Sequence, residues 1–116
     1  LAKLTIFEQE ISARNQRAMH YSKNLATAVR VPPVPDNRKS VWAQYTIRVR
    51  NRDSVASRLL DLGIPTMVYY PCALHLQSAF AGIEQATGSL PISEKLVSEV
   101  LSLPIHPYLS AEQQDF

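Results

Sequence analysis

The sequence predicts an α/β two-layer domain of the α+β kind: a small, mostly antiparallel sheet with helices on one face. Three observations predict it. Residues 1–28 carry one apolar stripe at helical spacing, residues 41–50 alternate apolar and polar, and residues 41–70 read as strand, helix, strand.

The stripe over 1–28 consists of Leu4, Phe7, Ile11, Ala18, Tyr21 and Leu25, spaced by three, four and seven. Glu10 and Arg14 stand at i and i+4 on the expected wet side. "VPPVPDNRKS" then ends the helix, because three prolines in four positions remove donors and favour extended backbone. In "VWAQYTIRVR", Val41, Ala43, Tyr45, Ile47 and Val49 point one way, and Trp42, Gln44, Thr46, Arg48 and Arg50 the other. One-sided burial of that kind suits an antiparallel strand. "RDSVASRLLDLG" predicts a short helix with Asp53 in its first turn, Gly63 as its left-handed stop, and Val55, Leu59 and Leu62 as its buried side. "IPTMVYY" predicts a second strand over 66–70, stopped by Pro71. Residues 72–90 read as irregular, with one helical turn at Leu76–Phe80 and a polar segment between Gly82 and Gly88. "LPISEKLVSEVLSLP" predicts another helix, capped by Ser93, with Leu96, Val97, Val100 and Leu101 on its apolar face. "LSLPIHP" is extended, and Ser110 with Gln113 has capping-box spacing for a last helix.

Composition narrows the function. Apolar residues make up 46% of the 116, enough for a packed core. No run approaches the length of a membrane span, so no membrane partner is expected. A net charge of +2, from 12 basic and 10 acidic residues, is too slight to argue for nucleic acid. Arg48, Arg50 and Arg52 would share one face of a strand, read as a solvated edge. The single cysteine, Cys72, rules out an internal disulfide and fits a reducing, cytoplasmic compartment.

Few chemical signatures are present. The three histidines and Cys72 lack metal-site spacing. Cys72 and His75 could pair as nucleophile and base, but no carboxylate lies near them in sequence to orient the ring. Lys3, Lys23, Lys39 and Lys95 all have polar or charged neighbours, unlike a Schiff-base lysine, which needs a lowered pKa. The informative stretch is "YYPCALHLQ", residues 69–77. Strand alternation sends Tyr69 and Tyr70 to opposite faces, one into the core and one outward. Pro71 then turns the chain, and His75 and Gln77 add donors near the outward tyrosine. Two readings stay open on these residues alone: a hydrogen-bonded turn without a ligand, or a mouth for an anionic or sugar ligand.

"VWAQYTIRVRNRDSVASRLLDLGIPTMVYYPCALHLQ" followed by "LPISEKLVSEVLSLPIHPYLS" resembles the C-terminal part of the DegT-type sugar aminotransferases. The likeness runs in order through W-A-Q-Y-T, R-D, G-I-P-T-x-V-x-Y-P, L-H-x-Q, L-P-x-x-E and L-S-L-P-x-H-P, over about residues 41–110. The resemblance implies the small domain of a fold-type I pyridoxal-phosphate transferase. Residues 1–30 would be the long helix leading from a large domain, and 31–116 the C-terminal small domain. The large domain would carry the cofactor. No S-F-x-x-x-K-like segment, ring-nitrogen acid or glycine-serine phosphate loop stands in this sequence. The chain starts at Leu1 and stops just after "SAEQQDF" begins to read as a helix, so a longer parent is expected. This piece alone is expected neither to bind pyridoxal phosphate nor to transfer an amino group.

The parent is expected to pass an amino group from glutamate to a nucleotide-linked keto-sugar. Within the family, the sequence is most similar to enzymes that aminate a UDP-linked 3-keto-2-acetamido uronic acid for bacterial surface polysaccharide and lipopolysaccharide. A homodimeric parent is implied as well. Carried over by position, Tyr70 and Tyr69 would reach toward the substrate's diphosphate, and His75 and Gln77 would line the same mouth. Some relatives have histidine where Tyr69 stands, and Cys72 and Ala73 depart from the usual proline-rich turn. A rival reading is a small ligand-binding or regulatory module without catalysis, since fold does not fix function. A third reading, nucleic-acid binding through the three arginines, predicts steep salt dependence.

Overall fold

The computed structural model describes residues 2–80 and 90–116. The chain begins with a 3₁₀ turn, Ala2–Ile6, that runs into helix α1, Phe7–Leu25. Strand β1 is Tyr45–Arg48, helix α2 Arg52–Asp61, helix α3 Pro91–Glu99, strand β2 Val100–Leu103 and helix α4 Ala111–Asp115. β1 and β2 are neighbours in a two-stranded antiparallel sheet, so the α+β class expected from the sequence is the class observed. The chain divides into two compact units, residues 1–47 with 103–116, and residues 48–102.

The first unit is organised by α1. Ala18 and Tyr21 are the buried members of its stripe, whereas Leu4 and Phe7 at its start are exposed. Tyr45 is 0% exposed, its ring 5.1 Å from Tyr21 and 5.4 Å from Trp42 between centroids. A buried tyrosine needs a partner for its hydroxyl, and Ser22 Oγ supplies it at 2.8 Å. Tyr21 donates its own hydroxyl to the Pro104 carbonyl at 2.9 Å.

The long strand expected over 41–50 is shortened to four residues. At its start the cause is Trp42, whose φ of 49° breaks the extended backbone. Surrounding groups hold that conformation. Trp42 N–H donates to Ser40 Oγ (3.2 Å), its indole Nε1 donates to Asn15 Oδ1 (3.1 Å), and its carbonyl accepts from Arg14 (2.9 Å). Arg14 also reaches the Ile105 carbonyl at 3.4 Å. The expected Glu10–Arg14 pair on a wet face therefore does not form, because Arg14 is drawn to two loop carbonyls that need a donor. Glu10 instead takes Lys3 (2.6 Å) and the Tyr108 hydroxyl. These two hydrogen bonds, Lys3 first, hold its carboxyl below the ordinary value.

The expected capping box is present: Ser110 Oγ accepts from Gln113 N–H (3.2 Å), and Gln113 Oε1 accepts from Ser110 N–H (2.9 Å). The short helix it opens packs on α1, where Gln114 donates to the Arg17 carbonyl (3.1 Å) and Asp115 meets His20 Nε2 (2.6 Å).

In the second unit, Asn51 takes the left-handed conformation (φ 53°, ψ 42°) and turns the chain from β1 into α2. That turn separates the three arginines expected on one strand face. Arg48 is clasped by Glu99, with Nε at 3.0 Å and a terminal nitrogen at 2.6 Å from the same carboxylate oxygen. Arg50 is exposed, and Arg52 is buried, donating to the Val100 carbonyl at 3.3 Å with its Nε 2.6 Å from Asp53. They form no common basic face.

Helix α2 ends in a Schellman motif, as Gly63 predicts. With Gly63 at φ 79°, its N–H bonds the Leu60 carbonyl (2.9 Å) and the Ile64 N–H bonds the Leu59 carbonyl (2.8 Å). Val55 and Leu59 are half-buried, but Leu62 is exposed, contrary to the expected buried side. The second strand expected over 66–70 is reduced to a single bridge, Met67 with Ser102. Pairing stops at that residue, and no strand alternation governs Tyr69 and Tyr70. Helix α3 starts at Pro91 rather than behind a Ser93 cap, because proline at the first helical position is already fixed for helix. The apolar residues Val100 and Leu101 belong to β2, not to that helix. Gly82 and Gly88 lie outside the described residues.

Candidate functional site

The stretch 69–77 lies wholly within the second unit. Its entrance is fixed by Met67, which exchanges two backbone hydrogen bonds with Ser102: Met67 N–H to Ser102 O at 3.1 Å and Ser102 N–H to Met67 O at 2.7 Å. Its exit is fixed by two 3₁₀ turns, Leu74–Leu76 and Ser78–Phe80, in place of the one turn expected at Leu76–Phe80. Ala73 is buried at the start of the first. Between these anchors, residues 68–72 make no backbone–backbone hydrogen bond among the described residues.

The two tyrosines occupy this unpaired stretch. Both are exposed, Tyr69 by 38% and Tyr70 by 69%. The expectation that one would enter the core is therefore corrected: a strand would force opposite faces, and no strand exists here. Their rings meet edge to face, with centroids 6.0 Å apart at 75°. The peptide bond between them is cis. Both tyrosines of this tip are exposed, and Pro71 and Cys72 are exposed beside them.

His75 lies in the first of the two 3₁₀ turns. Its side chain is only 7% exposed, and Nε2 lies 3.0 Å from Glu94 Oε1 in the first turn of α3. Gln77 is half-buried between the two 3₁₀ turns. Of the four residues read from the sequence as a mouth, the structure thus brings Tyr69 and Tyr70 together at the surface and leaves the His75 side chain shielded, on Glu94. Glu94 was missed, although the L-P-x-x-E segment ends on it. It is the carboxylate that the Cys72–His75 pair lacked in sequence. The thiol nevertheless donates to the Ala73 carbonyl at 3.5 Å, so geometry does not favour a nucleophile–base pair.

The lysines do not fit a pyridoxal anchor. Such an anchor must lose its proton readily, which needs burial or a neighbouring cation. All four are exposed. Lys3 sits on Glu10, whose hydrogen bond raises the ammonium above its usual value, the opposite of what is required. Lys95 lies 3.8 Å from Glu99. Among the described residues, no group of three or more histidines, cysteines and carboxylates could hold a metal ion. No helix among them is long and apolar enough to cross a membrane.

Residues 1–116 match the model of the DegT/DnrJ/EryC1/StrS aminotransferase family. The chain belongs to this family. It is 44% identical over 110 residues to the UDP-2-acetamido-2-deoxy-3-oxo-D-glucuronate aminotransferase of Pseudomonas aeruginosa, covering 94% of this chain and 30% of that protein. It is also 44% identical over 107 residues to a pleiotropic regulatory protein of Geobacillus stearothermophilus, covering 89% of this chain and 29% of that one. Among solved structures, a DegT/DnrJ/EryC1/StrS aminotransferase from Brucella abortus superimposes with a TM-score of 0.93 at 47% identity, over 99% of this chain and 31% of that one. The chain therefore spans about 30% of the length of the curated relatives it matches.

Proposed function

We propose that this chain is the C-terminal, substrate-facing part of a pyridoxal-phosphate-dependent nucleotide-sugar aminotransferase. The cofactor and its lysine would be housed elsewhere in the polypeptide. The observation that carries the reading is the Tyr69–Tyr70 tip, anchored at both ends and exposed in the middle, in a chain of this family. Phenol hydroxyls are good donors to phosphate oxygens, and a charge-assisted bond of this type is stronger than a neutral one. The tip would hold the diphosphate of a sugar nucleotide, with Gln77 at its margin and His75 supporting it from beneath. The likeness to the Pseudomonas aeruginosa protein favours a UDP-linked 3-keto sugar acid as substrate, glutamate as donor, and a place in surface polysaccharide synthesis. A homodimeric, cytoplasmic parent belongs to the same reading, as does inactivity of this piece alone. In the parent, this piece would contribute orientation of the sugar and exclusion of water.

Kinetics of the full-length protein test the proposal. Losing one charge-assisted phosphate bond costs about 1–3 kcal/mol, so Tyr70→Phe should raise the KM for the sugar nucleotide roughly 5- to 150-fold, with a modest loss of kcat. An unchanged KM removes Tyr70 from the site.

One finding favours a second reading, a ligand-binding regulatory module without catalysis: the name carried by the Geobacillus stearothermophilus relative. Amino transfer by the full-length protein, absent or present, separates the two.

A further inference from the structure

We propose that Glu94 is a positioning residue for the Tyr69–Tyr70 tip, acting through His75. The inference rests on the reading of that tip as substrate-facing, and adds to it the element that fixes where the tip points.

Little holds the tip in place. Residues 68–72 make no backbone–backbone hydrogen bond among the described residues, so the position of the two phenols depends on the anchors at either end. The leading anchor is backbone to backbone: Met67 on Ser102, itself buried. The trailing anchor is different in kind. The 3₁₀ turn Leu74–Leu76 closes on itself through Leu76 N–H to Ala73 O (2.9 Å) and Gln77 N–H to Leu74 O (3.2 Å). Those local bonds shape the turn but do not tie it to anything distant. Among the described residues, the side-chain bond that ties the turn to a distant element is His75 to Glu94, across 19 residues of sequence, alongside the burial of Ala73.

Both partners suit the task. Glu94 lies in the first turn of α3, where the helix dipole favours a carboxylate. The start of that helix is itself fixed by Pro91, and Glu94 N–H closes on the Leu90 carbonyl at 3.0 Å. A carboxylate only accepts, so the imidazole must donate from Nε2. The side chains are 7% and 21% exposed, which keeps water from replacing the bond cheaply. Deleting the carboxylate strands a shielded imidazole N–H without its partner and removes the bond that ties the turn to α3, which frees the turn to move. That movement carries Tyr70, five residues away in sequence. A contact five residues along the chain thereby sets the geometry of the tip. The two sequence segments L-H-x-Q and L-P-x-x-E meet at this bond.

The experiment uses the full-length protein. A displacement of the tip by a fraction of its length should cost about tenfold in productive binding. Glu94→Ala should therefore raise the KM for the sugar nucleotide about tenfold and leave kcat nearly unchanged. Glu94→Gln keeps an acceptor oxygen at the same reach and should restore KM to near the wild-type value. His75→Phe, which removes the donor but keeps a ring, should match Glu94→Ala, and the double variant should be no worse than either single one. If Glu94→Ala does not fold, His75→Phe and Glu94→Gln carry the same comparison. Hydrogen–deuterium exchange of peptides spanning 68–76 supplies a readout that needs no substrate. Exchange there should accelerate in Glu94→Ala and His75→Phe while α1 stays as in the wild type.

The outcomes separate cleanly. Tyr70→Phe raising KM while Glu94→Ala leaves both KM and exchange unchanged overturns the positioning role alone. Tyr70→Phe without effect overturns the substrate-facing reading, and with it this inference, whatever the exchange shows. Loss of thermal stability in Glu94→Ala with KM and exchange at 68–76 unaltered marks a purely structural pair and overturns the proposal too.

Discussion

The two compact units solve different problems with similar residues, and their tyrosines show it. In the first unit, Tyr45 is fully buried, its ring lies against Tyr21 and Trp42, and its hydroxyl is satisfied by Ser22. In the second, Tyr69 and Tyr70 touch each other and face outward from an unpaired stretch. A buried aromatic with a paired hydroxyl stabilises a fold; an exposed one with an unburdened hydroxyl is available to a ligand. The lesson is that the same residue type marks structure or recognition according to where its polar tip ends up.

The sharpest way to break that contrast is truncation. Tyr45→Ala should destabilise by about 3–5 kcal/mol, because a fully packed aromatic leaves a cavity that neighbours fill only in part. Tyr70→Ala should stay within about 0.5 kcal/mol of the wild type, as surface changes do. Denaturant unfolding measured on both variants decides the matter; equal losses would erase the distinction.

A smaller effect probes the backbone of the second unit. Gly63 has φ 79°, and a Cβ there would meet nothing within 4 Å. Gly63→Ala should therefore cost about 1–2 kcal/mol from conformation alone, with no steric addition. Equilibrium unfolding checks it, and a neutral substitution would contradict the cap.

Smaller still is removal of one hydroxyl from the first unit. Burial pushes the Tyr45 phenol above its ordinary value of 10.0, partly offset by the Ser22 hydrogen bond. Because the folded value is the higher one, the associated stability is fully present below pH 10 and is lost as pH rises through the folded value. Tyr45→Phe should lose about 0.5–1.5 kcal/mol at neutral pH with the Ser22 bond. It should also flatten the alkaline fall in stability above about pH 10. Unfolding curves across that range give the result, and an unaltered alkaline slope would mean that Tyr45 is not the titrating group.

Much of the fold was legible because local chemistry agreed with it. The stripe around Ala18 and Tyr21, the Gly63 stop and the Ser110–Gln113 box are signals confined to a few neighbouring residues, and each appears where the pattern puts it. Misreadings arose where distant groups decided. Trp42 looked like a strand residue, but Asn15, Arg14 and Ser40 hold it in a left-handed conformation. Arg52 looked like a member of a strand edge, but Asn51 turns the chain before it. At the candidate site, composition pointed to 69–77, yet alternation failed beyond Met67 because there is no strand to alternate. Glu94 was invisible as a partner because nothing in its own segment announces a histidine 19 residues earlier.

The most direct measurement is a structure of the full-length protein holding its sugar nucleotide. The Tyr70 hydroxyl should lie within hydrogen-bond distance, about 2.7 Å, of a diphosphate oxygen, with the His75–Glu94 bond intact. A diphosphate bound by other residues, with Tyr70 turned to bulk solvent, would contradict it.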